Sequence, residues 1–231
     1  NCDILEPLCG AGTKLQLRAR LVREDGAALP RLRRLTASLR NRSLPEIPTG
    51  ESMAEDMPAE KILEVPACSQ MVRDPEIGNI ICNPTTMTVL LAGRGTQVLP
   101  EEMGLSCVDL VEGFGNWTYA AAAVGMYGYR AYARFGDYDL LRREIAAGRS
   151  VGVSVHYANS REKAEERNLP YLEGAPCTTP GHILTVRGFG TEEGQEYVYV
   201  CDSAAERDEE AHLRYRKEQF LEAWSGRLCY L

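Results

Sequence analysis

The sequence predicts an α+β domain whose helices precede its strands, and three observations carry that prediction. Helical patterns run from Cys82 to Gly148, whereas apolar strand patterns dominate from Ser150 to Leu231. The two kinds of segment do not alternate, which disfavours a parallel sheet with crossover helices. Two of the strand patterns, "HILTVRGFG" and "EYVYVCD", are separated only by the turn-like "TEEGQ". So short a connection joins antiparallel neighbours.

The elements follow in order. Residues 13–22, "TKLQLRARLV", and 31–40, "RLRRLTASLR", place Leu at period two around the turn chemistry of "REDGAALP". They read as two half-buried antiparallel strands, which bury too little to stand alone. They either dock on the main domain or end a β-sandwich that lies upstream. Residues 43–60, rich in Pro, Glu, Ser and Met, read as a linker. The main domain is expected from Lys61 to Leu231. Its first helix follows Cys82 and ends near Gly93, and a second spans "PEEMGLSCVDLVEGFG", opened by Pro100 and two acids that suit the positive end of its dipole. "NWTYAAAAVG" reads as a third helix, "YRAYARF" as a strand, and "YDLLRREIAAG" as a fourth helix capped by Asp137 and closed by Gly148. The strands "SVGVSV", "HILTVRGFG" and "EYVYVCD", a short helix "KEQFLEAW" and a last strand "RLCYL" complete the chain.

Composition narrows the function. The chain has 231 residues, 44% hydrophobic and 26% charged, enough for one substantial domain and an appendage. A net charge of -7 without a basic block disfavours nucleic acid as partner. No apolar run approaches the ~20 residues that cross a bilayer. The chain opens at Asn1 without an initiator Met or a signal pattern, as a processed or excised chain would, so compartment stays open. Eight cysteines are too few for a disulfide-built miniprotein and allow pairing without requiring it.

Three residues suggest a thiol hydrolase. Cys82 precedes Asn83 and Pro84 at a helix start, where unsatisfied backbone N–H groups favour a thiolate. On that segment alone, a thiol packed beside Ile80 and Ile81 is the stronger reading. Of the three histidines, His156 and His212 read as surface or strand-end residues, whereas His182 opens an apolar strand after "TTPG". Asp202 ends the next strand, so a hairpin sets it beside His182; a structural cap is the alternative. Gln70, twelve positions before Cys82, could donate to an oxyanion, although spacing gives it little weight. Cys177, His182 and Cys201 form no spaced ligand motif, so a zinc site is disfavoured. No phosphate-cradling glycine motif is present, and no cofactor is expected.

The stretches "VPACSQ", "CNPTTMTVLL", "GNWTYAAAAVGMYGYRAYARF", "LLRREIAAGRSVGVSV", "TTPGHILTVRGF" and "VYVCDSAA" together resemble the papain-like cysteine peptidases of family 39, the bacteriocin-processing type, especially their stand-alone bacterial relatives. The resemblance implies a papain-like α+β fold, with the Cys-bearing helix packed on a curved antiparallel sheet. It implies Cys82 as nucleophile, His182 as base and then acid, Asp202 as orienter and Gln70 as oxyanion donor, with a peptide or protein substrate. It makes Gly115, Asn116 and Trp117 a structural or cleft-lining motif. Localisation is left open: the resemblance allows action outside the cytoplasm or at the cell surface as well as in the bacterial cytoplasm. Family members usually carry Asn before the Asp, Pro after it and an aromatic before the Cys; here Cys201, Ser203 and Ile81 stand there. Acyl transfer to an amine and non-catalytic peptide binding are the rival functions. Oligomeric state is not legible.

Overall fold

A computed structural model describes residues 14, 16–29, 31–32, 35–39, 57–111 and 113–230. The elements are β1 (Lys61–Ile62), α1 (Cys82–Ala92), α2 (Pro100–Cys107), α3 (Trp117–Met126), β2 (Ala133–Phe135), α4 (Tyr138–Ala146), β3 (Val151–Tyr157), α5 (Arg161–Arg167), β4 (Thr179–Glu192), β5 (Gln195–Cys201), β6 (His212–Arg216), α6 (Lys217–Ala223) and β7 (Trp224–Tyr230). It is an α+β fold, with α1, α2 and α3 ahead of most of the sheet.

Local chemistry sets most boundaries. Pro84 sits in the first turn of α1, where its fixed φ suits the helix, and Gly93 follows its last residue. The side chain of Asn116 accepts from the N–H groups of Thr118 and Tyr119 and starts α3. Asp137 accepts from Leu140 N–H at 2.8 Å and starts α4.

Some segments differ from the sequence expectation. Helix α2 stops at Cys107 because Asp109 diverts the chain: its carboxylate accepts from Val111 N–H at 2.7 Å, and its backbone pairs with Gly113. Strand β2 keeps only the last three residues of the expected one. Helix α5, capped by Ser160 and closed by Asn168 at φ 50°, and strand β6 are elements that the sequence reading did not assign. In the described part of 13–40, Ala27 N–H closes a turn on Glu24 O (3.1 Å), but no strand forms. Leu17, Leu21, Leu35 and Leu39 are exposed there, without the covered face that a half-buried strand needs. Of the expected linker, 43–56 lie outside the described residues.

One antiparallel sheet runs in the order β2-β7-β3-β4-β5-β6, with β1 added to the far end of β4. Alternation along β3 puts Val151, Val153, Val155 and Tyr157 on one face, packed with Leu141, Ile145, Phe220 and Trp224 from α4, α6 and the start of β7. The opposite face receives α1. Met87 and Leu91 of α1 join Met103, Trp117, Ile183 and Tyr230 in a second core. Each such side chain contributes roughly 1.5–3 kcal/mol on burial. The buried Thr86 hydroxyl donates to Ile183 O at 3.0 Å, tying α1 to β4.

The β4–β5 hairpin has an irregularity with consequences for the site. Its turn is the two-residue pair Glu193–Gly194, both at positive φ, as a primed hairpin turn needs. From that turn the register runs Glu192↔Gln195 to Gly188↔Tyr199, then shifts so that Val186 faces Val200 and Thr185 faces Cys201. Arg187 is thus an extra residue, a β-bulge. Leu63, just after β1, holds it: Leu63 N–H donates to Arg187 O at 2.7 Å, and Arg187 Nη1 donates to Leu63 O at 3.1 Å.

Gly152 sets how closely α1 approaches the sheet. A Cβ there would lie 3.0 Å from Thr86 Cγ2 and 3.2 Å from Tyr230 Cδ2. Gly152→Ala is expected to lower the unfolding free energy by about 1–3 kcal/mol through overpacking. Urea denaturation reads this directly, and an unchanged midpoint would show that α1 has room to move.

Candidate active site

Cys82 is the first residue of α1 and is half-buried. Its thiol lies beside the His182 imidazole and is acted on by the backbone groups of its neighbours Ile183 and Asn83. Burial opposes a charged thiolate, but those partners outweigh it and bring the thiol below its ordinary pKa. The other described cysteines behave oppositely. Burial raises Cys107 to about 11 and both Cys201 and Cys229 to about 12, and it also raises Cys68 and Cys177. Among the described cysteines, Cys82 alone is shifted toward the thiolate.

His182 lies near the start of β4 and is buried. Its Nε2 meets Asp202 Oδ1 at 2.8 Å, which leaves Nδ1 as the nitrogen for the Cys82 contact. Burial disfavours the imidazolium, but the Asp202 carboxylate and the thiol reverse that and raise the pKa to about 10. Asp202 is fully buried, and its carboxylate is surrounded by donors. Oδ1 also accepts from Ala204 N–H at 3.0 Å, and Oδ2 accepts from the hydroxyls of Tyr157 (3.1 Å) and Tyr215 (2.8 Å). Burial would raise its pKa, yet His182 and these donors hold it below the usual carboxylate range.

The bulge explains how this pair meets. Carried on from Val186↔Val200 and Thr185↔Cys201, the register sets Asp202 opposite Leu184, two positions from His182 on the same face. Without the extra Arg187, the register from the turn would set Asp202 opposite Thr185, on the other face.

Gln70 is buried in the loop before α1 and is held by the segment after Asp202. Its N–H donates to Ser203 O at 2.8 Å, and its side-chain Oε1 accepts from the Ser203 hydroxyl at 2.9 Å. Ser69 adds two ties: its hydroxyl to Ala205 O at 2.5 Å and its N–H to Asp208 Oδ1 at 2.6 Å. Arg73 pairs with Asp208 as well. The structure therefore brings Cys82, His182 and Asp202 into one chain of contacts and sets Gln70 against the residue that follows Asp202.

Tyr157 and Tyr215 were not singled out by sequence, and Ser203 was marked only as standing where family members usually carry Pro. The tyrosines sit in β3 and β6, far along the chain from Asp202, and only the sheet order brings them in. Trp117 of the Gly-Asn-Trp motif stacks on Tyr230 with ring centroids 4.0 Å apart, and Asn116 donates to Asp109 Oδ2 at 2.5 Å. That motif braces α3 and its approach loop. Among the described residues no cluster of three or more His, Cys, Asp or Glu is arranged to hold a metal ion, and no helix is long and apolar enough to cross a membrane.

Comparison with solved structures places this fold. A crystal structure of a C39-like peptidase from Bacillus anthracis superposes with a TM-score of 0.53 at 16% identity, covering 74% of this chain and 97% of that one. The digestive procathepsin L 3 of Tenebrio molitor larval midgut gives 0.51 at 13% identity, covering 81% and 72%. The Amb a 11 cysteine protease of ragweed pollen, in its proform, gives 0.51 at 16% identity, covering 78% and 67%. These likenesses show a papain-like fold. A search of curated proteins finds no match to the chain. Residues 62–230 match the model of the Peptidase_C39 like family, and the chain thus belongs to that family as a cysteine peptidase-like hydrolase.

Proposed function

We propose that the protein cleaves peptide or amide bonds with Cys82 as nucleophile, His182 as general base and then acid, Asp202 as orienter of the imidazole, and the Gln70 amide as oxyanion donor beside the backbone N–H of Cys82. The observation that carries this reading is that the thiol which alone among the described cysteines is shifted toward the thiolate lies beside an imidazole seated on a fully buried carboxylate. In this mechanism the proton of Cys82 resides on His182, and the thiolate attacks the carbonyl carbon of the scissile amide. The carbonyl oxygen becomes an oxyanion, held by Gln70 and the Cys82 N–H. The C–N bond breaks as His182 protonates the leaving amine, leaving a thioester. Water, deprotonated by His182, attacks the thioester, and the acid departs as Cys82 is restored.

Replacing Cys82 with Ala should abolish the fast phase of labelling by iodoacetamide or a peptidyl epoxide at pH 7. Equal labelling of the variant would sink the assignment.

The pH profile follows from opposite shifts. Lowering of the thiol pKa extends the thiolate below its ordinary range, so alkylation should fall off only below the ordinary thiol value of about 8.5. The raised His182 pKa keeps the imidazolium up to about 10, so turnover should decline as pH rises through that value. Asp202→Asn removes the counter-charge, raising the acid limb and lowering the alkaline one. A profile that Asp202→Asn leaves unmoved would exclude Asp202 from the role.

With water as the acceptor, mass spectra of a cleaved peptide should show the free acid both with and without added amine. Quantitative conversion to the amide adduct at millimolar amine would make the protein an acyl transferase.

A further inference from the structure

Two consecutive residues, Asp202 and Ser203, each hold one of the proposed site residues. Asp202 takes the imidazole of His182 at 2.8 Å, and the Ser203 hydroxyl takes Oε1 of Gln70 at 2.9 Å. Ser203 is 2% exposed and Gln70 4%, so neither contact is shared with bulk water. Ser203 O also accepts from Gln70 N–H at 2.8 Å, so one residue grips Gln70 by backbone and side chain together.

A carboxamide can turn either its oxygen or its –NH2 toward a ligand, and only the –NH2 stabilises an oxyanion. The choice is settled by what the other end binds. Among the described residues, Gln70 Oε1 is the acceptor of the Ser203 hydroxyl proton. Turning the amide over would leave that proton buried without an acceptor, and it would aim Oε1 at the developing negative charge. The ties of Ser69 to Ala205 and Asp208 keep the two loops in register while this contact is made.

We infer that Ser203 is a positioning residue for the oxyanion donor, fixing the Gln70 carboxamide so that its –NH2 side is the one offered to substrate. The inference rests on Gln70 serving as oxyanion donor. It adds that the Asp202–Ser203 dipeptide orients the base through one side chain and the donor through the next.

The test compares two reactions of the same thiol. Acylation by an N-blocked glycine p-nitrophenyl ester passes through an oxyanion, whereas alkylation by iodoacetamide does not. Ser203→Ala should slow acylation roughly 3- to 10-fold, the worth of one hydrogen bond, while the fast alkylation rate and its pH profile stay within about two-fold of wild type. Ser203→Thr, which keeps the hydroxyl, should recover most of the loss. Gln70→Ala should slow acylation roughly 10²- to 10³-fold, and adding Ser203→Ala to it should change little more, since the two act through one contact. If Gln70→Ala slows acylation but Ser203→Ala does not, the positioning role is overturned and the oxyanion reading stands. If Gln70→Ala leaves acylation unchanged, the oxyanion reading falls and takes this inference with it. Equal losses of acylation and alkylation in Ser203→Ala would assign Ser203 a general structural role and overturn the proposal.

Discussion

A carboxylate removed entirely from water is tolerable only when its lone pairs are met, and Asp202 is such a carboxylate. Its four contacts come from separate parts of the chain: His182 on β4, Tyr157 on β3, Tyr215 on β6 and the N–H of Ala204 in its own loop. Meeting them requires the strands β3, β4, β5 and β6 to lie in their observed order. In the proposed mechanism the imidazolium is the partner that matters, because a buried negative charge next to it favours its protonated form. The thiol then gains from that positive charge in turn. The polarity of the site thus begins with Asp202 and is passed outward to Cys82.

The opposing layer delivers the thiol. Helix α1 is enclosed nearly all round, with one side in the core shared with α2 and α3 and another, through Val89, beside Val65 and Cys201. A helix so enclosed cannot slide without exposing apolar surface on several sides. The Thr86 bond to Ile183 O adds a directional tie one residue from His182. Asn83 does likewise at the N-terminus, donating from its amide to Phe114 O at 3.0 Å. Packing therefore sets the distance between helix and sheet, and hydrogen bonds set the height of Cys82 against His182.

What was legible in the sequence was local. Pro84, Gly93, Asn116 and Asp137 mark helix ends because capping depends on a few adjacent residues. The placing of His182 and Asp202 at neighbouring strand ends followed from a short hairpin. The face on which each points did not follow, because it depends on the bulge at Arg187, whose hold comes from Leu63 far upstream in sequence. Tyr157 and Tyr215 were equally hidden, since their task exists only after the sheet is assembled. Helix α5 was passed over although Ser160 and Asn168 are ordinary capping residues, its charged surface hiding any apolar stripe. The period-two leucines of 13–22 and 31–40 show the opposite failure: a strand pattern needs a partner to become a strand, and in the described residues these leucines are exposed.

The bulge makes the pairing of His182 with Asp202 a matter of parity. A two-residue hairpin turn joins residues whose numbers sum to an odd value, so two even-numbered positions on its arms face opposite ways until one extra residue intervenes. Lengthening or shortening the hairpin arms in matched steps leaves that parity intact, whatever happens at the tip. A single unmatched insertion or deletion between the two residues reverses it. The span from 183 to 201 therefore behaves as a counted spacer, in which the number of residues carries information that their identities do not.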